Sequence, residues 1–281
     1  MEKKKRIVSF IIFFVLIAVL FSLSMIVPSS SHEDIKIMMR DAVLHDVNHV
    51  ELFGLSLNPG LISAFIVSGI LILVAIILRI FVVPKFTYVP GKVQLILETI
   101  VGLFSNMAEE NSAHRNKFLK AYMTIAATYI FVGTIFELFG FQVVCGNGLS
   151  VALPAPLADI NGAIMMGCLT YSVILVGAVR TNGISGIGHA LKDFSLPISM
   201  SFRLFGALLS GALVTELVYH FTMTSYVLPS IIGVIFTLLH AVIQSYVLTM
   251  LVSIFYGQVT EKSEKKSKKN KKIQKEITEE I

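Results

Sequence analysis

The stretch LISAFIVSGILILVAIILRIFVV, Leu61 to Val83, holds one charged residue, Arg79, near its C-terminal end. A hydrocarbon layer about 30 Å thick is crossed by roughly 20 apolar residues in a helix, which satisfies its own backbone where no water is available. The stretch therefore reads as a membrane span. Moving outward from it in both directions, similar runs occur at Ile7 to Val27, Leu119 to Val144, Ile160 to Val179, Leu196 to Tyr219 and Ile231 to Tyr256. Hydrophobic types make up 55% of the 281 residues and charged types 15%, and the mean hydropathy is +0.79. Such a chain is too apolar for a soluble enzyme or a nucleic-acid binder. About half of all Lys and Arg lie in Lys3 to Arg6 and Lys262 to Lys275, beside apolar runs, where they read as topology signals and a solvated tail. Cys145 and Cys168 have no metal-ligand spacing and form no disulfide framework. No metal or cofactor is expected.

The expected fold is all-α and polytopic: five core spans, one N-terminal hydrophobic helix, and an amphipathic helix along the membrane surface. That last helix is placed over Val89 to Met107, with Val93, Ile96, Leu97, Ile100 and Leu103 at helical spacing. Lys3 to Arg6 ahead of an apolar run also fits a secretory signal, but the run exceeds the usual signal core of roughly 7–15 residues, so a retained helix is expected. Gly146 to Pro156 and Gly183 to Gly188 read as turns. The connection from Pro28 to Gly60 is acidic on balance. Arg79, Lys85, Lys92, Arg115, Lys117 and Lys120 crowd the next connection, and Arg180 and Lys192 follow the fourth span. Alternation of this kind places both termini, and the Lys-rich tail, in the cytoplasm.

Arg203 is the residue whose position costs most. Near a helix centre an arginine costs about 2.5–3.5 kcal/mol to insert, and it lies too deep to snorkel freely. Guanidinium is effectively never deprotonated, so it supplies fixed positive charge and calls for a carboxylate. Gly206, Ala207 and Ser210 share its helical face. Small residues of this kind serve packing within the chain or the approach of a partner helix; the lone Arg203 favours a partner that brings its own carboxylate. His240 and Gln244 lie four apart on one face of the last span, as interhelical hydrogen-bonding groups or as a polar pathway. Asp159 and Asn161 open the fourth span, where the carboxylate gathers cations or caps the helix. Glu137 sits toward the outer end of the third span. Glu216 lies thirteen residues after Arg203 on a different face.

With these residues in place, the sequence resembles subunit a of the F-type ATP synthase. The resemblance is carried by an ordered set of motifs between about Leu61 and Thr260: Val89-Pro90-Gly91-Lys92-Val93-Gln94 with Glu98, Pro156-Leu157-Ala158-Asp159-Ile160-Asn161, Ser195-Leu196-Pro197-Ile198-Ser199 leading to Arg203-Leu204-Phe205-Gly206, and Gln244-Ser245-Tyr246-Val247. It implies a non-catalytic stator subunit in a cell membrane, bacterial by type. Two offset half-channels would carry H+ or Na+ to and from the carboxylates of a rotating c-subunit ring, coupled to ATP synthesis or hydrolysis. Partners implied are that ring, the subunit b stalk, the remaining synthase subunits and membrane lipid, with no nucleic acid. By carry-over, Arg203 is the stator charge and Gln244 its neighbour, and Gly206, Ala207 and Ser210 pack on the ring. Asp159, Asn161, His240, Glu216 and Glu137 border the ion pathway. Residues 1–60 form an N-terminal segment and external connection, 61–260 the channel domain and 261–281 the tail.

The family commonly has Asn at the position of Ala207 and Gly-Glu at Gly211-Ala212, and a His or acidic residue at Thr237. Its carboxylate beside the outer half-channel is therefore missing. Glu216, His220, Glu137 and His240 are the available substitutes. The rival reading is a self-contained transporter in which Arg203 binds an anion and Asp159 and His240 couple to protons, but paired repeats or interrupted helices in two halves are not evident. No phosphate-binding Gly-rich loop is present.

Overall fold

The computed structural model describes residues 50–52, 55–112, 117–144, 150–220 and 228–261, with Val15, Val19 and Ser22. Most of the run from Ile7 to Val27, and the tail from Lys262 onward, lie outside the described residues. Strands β1 (Val50–Leu52) and β2 (Leu55–Leu57) form a short antiparallel hairpin. Helices α1 (Pro59–Ile77), α2 (Lys92–Asn111), α3 (Lys117–Phe136), α4 (Ile160–Asn182), α5 (Ile184–Lys192), α6 (Ser195–His220) and α7 (Leu228–Thr260) follow. A second hairpin, β3 (Gln142–Val144) with β4 (Ser150–Ala152), lies between α3 and α4.

Four helices are long and apolar enough to cross a membrane, Pro59–Lys85, Lys117–Phe139, Ile160–Asn182 and Ile231–Thr260, and a fifth crossing results if α5 and α6, which meet at 49°, are one bent span. Two sequence expectations are corrected. The third span stops at Phe139 rather than Val144, because Gly140 takes a left-handed φ of 60° and the chain turns into β3. Ser150–Ala152 and Ile184–Lys192 are a strand and a helix where turns were expected: the first pairs with β3, and Gly183 at φ 64° restarts the chain as α5.

The starts of α1, α2 and α4 have local causes. Asn58 caps α1, its side chain accepting from Gly60 N at 2.8 Å, with Pro59 in the first turn where no N–H is missed. Asp159 caps α4 by accepting from Asn161 N at 3.1 Å. In the first turn of α2, Gln94 accepts from Thr87 N (3.1 Å) and donates to Thr87 O (2.9 Å) and Glu98 Oε1 (2.8 Å), so the helix start is tied to the segment that leads into it. Only the last turns of α2 are buried, at Phe104, Met107 and Ala108; Val93, Ile96, Ile100 and Leu103 are exposed.

α7 packs most extensively on α3, and α4 on α6. Leu119, Met123, Ile130, Ile174, Leu204, Leu248 and Val252 fill the interior. The α4–α6 crossing is tight because Gly167 has no side chain: a Cβ there would collide with Ser201 Oγ and stand 2.7 Å from Pro197 O. Tyr122 and Thr170 hydroxyls bond at 2.7 Å across α3 and α4. Asn182 donates to Val259 O (2.9 Å) and Glu261 O (3.0 Å), and Ser253 donates to Met107 O (2.8 Å). α1 is peripheral, with Phe65, Ile72 and Leu73 exposed.

Polarity divides the two ends of the bundle. Arg180 lies over the Phe118 ring (5.7 Å) and Lys120 pairs with Glu109, so the basic ends of α3 and α4 adjoin α2. At the opposite end Asn58 donates to Asp159 Oδ2 at 3.0 Å, joining the starts of α1 and α4. Gly167→Ala is expected to cost about 1–3 kcal/mol through overpacking, visible as earlier thermal aggregation in mild detergent than the wild type.

Candidate functional site

On α6 the turns alternate between a buried and an open face. Met200, Ser201, Leu204 and Leu208 are buried against the bundle. Ser199, Arg203, Gly206 and Ser210 follow one another along the helix and are all exposed, with Ala207 half-buried at their edge. At 100° per residue, Arg203 lies well over a quarter-turn from the buried arc's centre. A Cβ on Gly206 would meet nothing within 4 Å. The strip of small residues is thus not consumed by packing within the described chain. Among the described residues nothing forms an ion pair or hydrogen bond with Arg203. The side chain lies about two turns from the start of α6 and nearly five from its end, and among the described residues its charge has no counterpart.

α7 supplies the second wall. A Cβ on Gly211 would stand 3.6 Å from His240 Nδ1, so the imidazole rests on α6 at that glycine. His240 is half-buried and its ring lies 6.0 Å from that of Phe236. Gln244, one turn on, is buried and carries no hydrogen bond to the described residues. With α6 and α7 running in opposite directions, the Gly211–His240 contact sets Gln244 level with Ala207. Arg203, eight residues back along α6 from Gly211, lies about 12 Å farther along the axis. Arg203, Gln244 and His240 therefore border one surface in that order.

Other expected site residues sit apart from it. Asp159 Oδ1 accepts from the backbone and side chain of Asn161 (3.1 and 3.3 Å) and Oδ2 from Asn58, at the start of α4. Glu137 is half-buried in the turn that ends the third span, and that turn packs against α7. The side chains of Glu216 and His220 lie outside what is described. Sequence reasoning missed Asn58. The signal was present, since Asn followed by Pro ahead of an apolar run marks a helix start, but the bond across 101 residues to Asp159 has no local trace.

A family described as ATP synthase A chain matches residues 62–257, most of the chain and every residue of the Arg203 surface. The chain belongs to that family. Membership makes it a membrane-sector subunit of an ATP synthase, and its helices make it a multi-pass membrane protein. It is 25% identical over 184 residues to "ATP synthase subunit a, sodium ion specific" of Propionigenium modestum, covering 59% of this chain and 63% of that protein's length. It is 24% identical over 232 residues to ATP synthase subunit a of Mycobacterium tuberculosis, covering 75% and 91%. To the subunit a of Histophilus somni it is 24% identical over 213 residues, covering 63% and 79%.

The Asn58–Asp159 bond in this family member is testable by a double-mutant cycle. Asn58→Ala and Asp159→Ala are each expected to lower stability by about 0.5–2 kcal/mol, as cap loss does. The double variant should fall short of the sum by about 1 kcal/mol; thermal unfolding of the four proteins in one detergent measures it.

Proposed function

We propose that this chain is the ion-conducting stator of the synthase membrane sector, and that Arg203 faces the carboxylates of a rotating c-subunit ring. The observation that carries this reading is the unpaired Arg203 on an open strip of Gly206 and Ser210. A cation in hydrocarbon needs a counter-charge, and the strip leaves room for helices bearing one to pass. Near Arg203 a passing carboxylate is favoured in its ionised form and releases its cation. Away from it, the carboxylate takes one up again. Because guanidinium keeps its proton, Arg203 cannot relay ions itself, and its charge separates the two half-channels. One charge crossing 100 mV is worth about 2.3 kcal/mol, so a leak past this point would dissipate the drive for rotation.

His240 is the titratable group that replaces the family's missing carboxylate on the outer route. Its contact with Gly211 puts it one residue from Ala212, where the family has Glu, and on the outer side of Gln244. An imidazole can accept a proton at one ring nitrogen and donate from the other, and so can pass a proton between outer water and the ring. Asp159 and Asn161 stand at the outer rim, where a carboxylate raises the local cation concentration; Glu137 and Glu216 border the same side. Arg79, Lys85, Lys117, Lys120, Arg180 and Lys192 gather at the other end, which supports a cytoplasmic placement of that end and of the C-terminus. By the same reading α2 lies on the cytoplasmic membrane surface with its exposed apolar residues in lipid, residues 61–260 form the channel domain, and subunit b and the soluble subunits complete the assembly in a bacterial cell membrane. The resemblance to a relative named as sodium ion specific leaves H+ and Na+ both in play; His240 favours H+.

Membrane vesicles carrying the assembled complex test this directly, with ATP-driven acidification read by a pH-sensitive dye. Arg203→Lys keeps a charge but loses the planar fork and can shed its proton, so pumping should fall at least about tenfold, a loss of about 1.4 kcal/mol or more in coupling. Normal pumping in that variant would exclude the assigned role. His240→Ala should slow pumping while ATP hydrolysis by the detached soluble sector is unchanged, and His240→Glu should restore part of it.

A further inference from the structure

Between α1, α3 and α4 lies a cavity of about 580 Å³, lined by Ala64, Ser68, Ile72, Ile125, Met165 and Leu169 and by Asp159 at one end. It borders neither α6 nor α7, so it is separate from the Arg203 surface. On α1 its wall runs from Gly60 to Ile72, about 18 Å at 1.5 Å per residue. One leaflet of a hydrocarbon core about 30 Å thick is about 15 Å deep, so the cavity spans one leaflet, beginning at the helix starts. Its walls are apolar in practice. The two tyrosines that line it direct their hydroxyls to protein partners, Tyr122 to Thr170 and Tyr129 to Ser68. A space of this kind does not hold water, and left empty its walls would lose their dispersion contacts. It is open toward the bilayer, where Ile72, Ile125, Met165 and Leu169 are exposed.

Among the described residues that line it, Asp159 at the mouth carries the only charge. Asp159 accepts hydrogen bonds from Asn58 and Asn161, yet among the described residues no basic side chain pairs with it. A carboxylate at the level of lipid headgroups and without a counter-charge attracts a cation. We propose that the cavity holds one acyl chain of an outer-leaflet phospholipid whose amine-bearing headgroup sits against Asp159. Depth, apolar walls and the sign of the charge at the mouth all match that occupant. The proposal rests on the membrane-spanning fold and on the orientation proposed above, and not on the reading of Arg203, so it and the role of Arg203 can fail separately.

The test uses the assembled complex in vesicles of phosphatidylethanolamine and phosphatidylglycerol, with a photoactivatable diazirine midway along the chain of one lipid at a time. After irradiation, peptides are mapped by mass spectrometry. With the ethanolamine probe, labelling per residue at Ser68, Ile72, Met165 and Leu169 should exceed that at the exposed α1 residues Ile70 and Leu73, which lie outside the cavity, by about tenfold, the ratio that about 1.4 kcal/mol of preference gives. Ala64→Phe, and independently Ser68→Phe, should remove the excess at Met165 and leave Leu73 unchanged. In Asp159→Asn the two probes should label Met165 equally. Equal labelling of the cavity and of Ile70 and Leu73 in the wild type would overturn the proposal. So would a Met165→Cys variant that cross-links to residues 7–27 of its own chain or to a helix of a neighbouring subunit, since the space would then have a protein occupant.

Discussion

Hydrocarbon offers no hydrogen bonds, and the helices of this chain are built around that scarcity. Most buried Ser and Thr hydroxyls turn back onto their own helix: Thr134 donates to Ile130 O (2.7 Å), Thr170 to Met166 O (2.7 Å), Ser201 to Pro197 O (2.6 Å) and Thr249 to Ser245 O (2.8 Å). With polar atoms so disposed, tertiary packing is left to shape. Gly167 against Ser201 and Gly177 against the Tyr256 ring let helices close on one another to a degree that any side chain would prevent. Arg203 stands out because it has no such internal solution. Its charge is a polar demand that the described bundle leaves for something else to meet, as is the carboxylate of Asp159 at the start of α4.

That contrast explains which parts were legible in the sequence. Leu61–Val83 could be read as a span from one line of residues, because length and apolarity are local properties and the bilayer fixes both. Arg203 was legible for the same reason, as a local violation of the rule. The end of the third span was not: Phe141 to Val144 is apolar enough to extend a helix, and what stops it is Gly140 with the pairing of β3 to a strand eight residues away. Likewise the Ile184–Lys192 helix lies where two glycines suggested only a turn, and it is held by Tyr171 donating to Ala190 O at 3.1 Å. Pairings of this sort join residues that no short window contains.

The site divides similarly. That His240 and Gln244 share a face could be drawn from helical spacing, but their register against Arg203 on another helix could not. It depends on Gly211 meeting His240, a contact fixed by how α6 and α7 pack. The proposed role of His240 rests on that same contact. Asp159 shows the reverse case. Its capping role was foreseeable, whereas Asn58 as a partner required two helix starts, far apart in sequence, to arrive at the same height.

The attachments of α7 are unevenly spaced along its length. Ser253, Gly257 and Val259 are all engaged, by Met107, Asn111 and Asn182, whereas Leu238, Leu239, Val242 and Ile243 are exposed along the N-terminal half. The helix is in effect a beam pinned at its C-terminal foot to α2 and α4. A sideways load on the turns that carry His240 would be passed down the helix to those two neighbours.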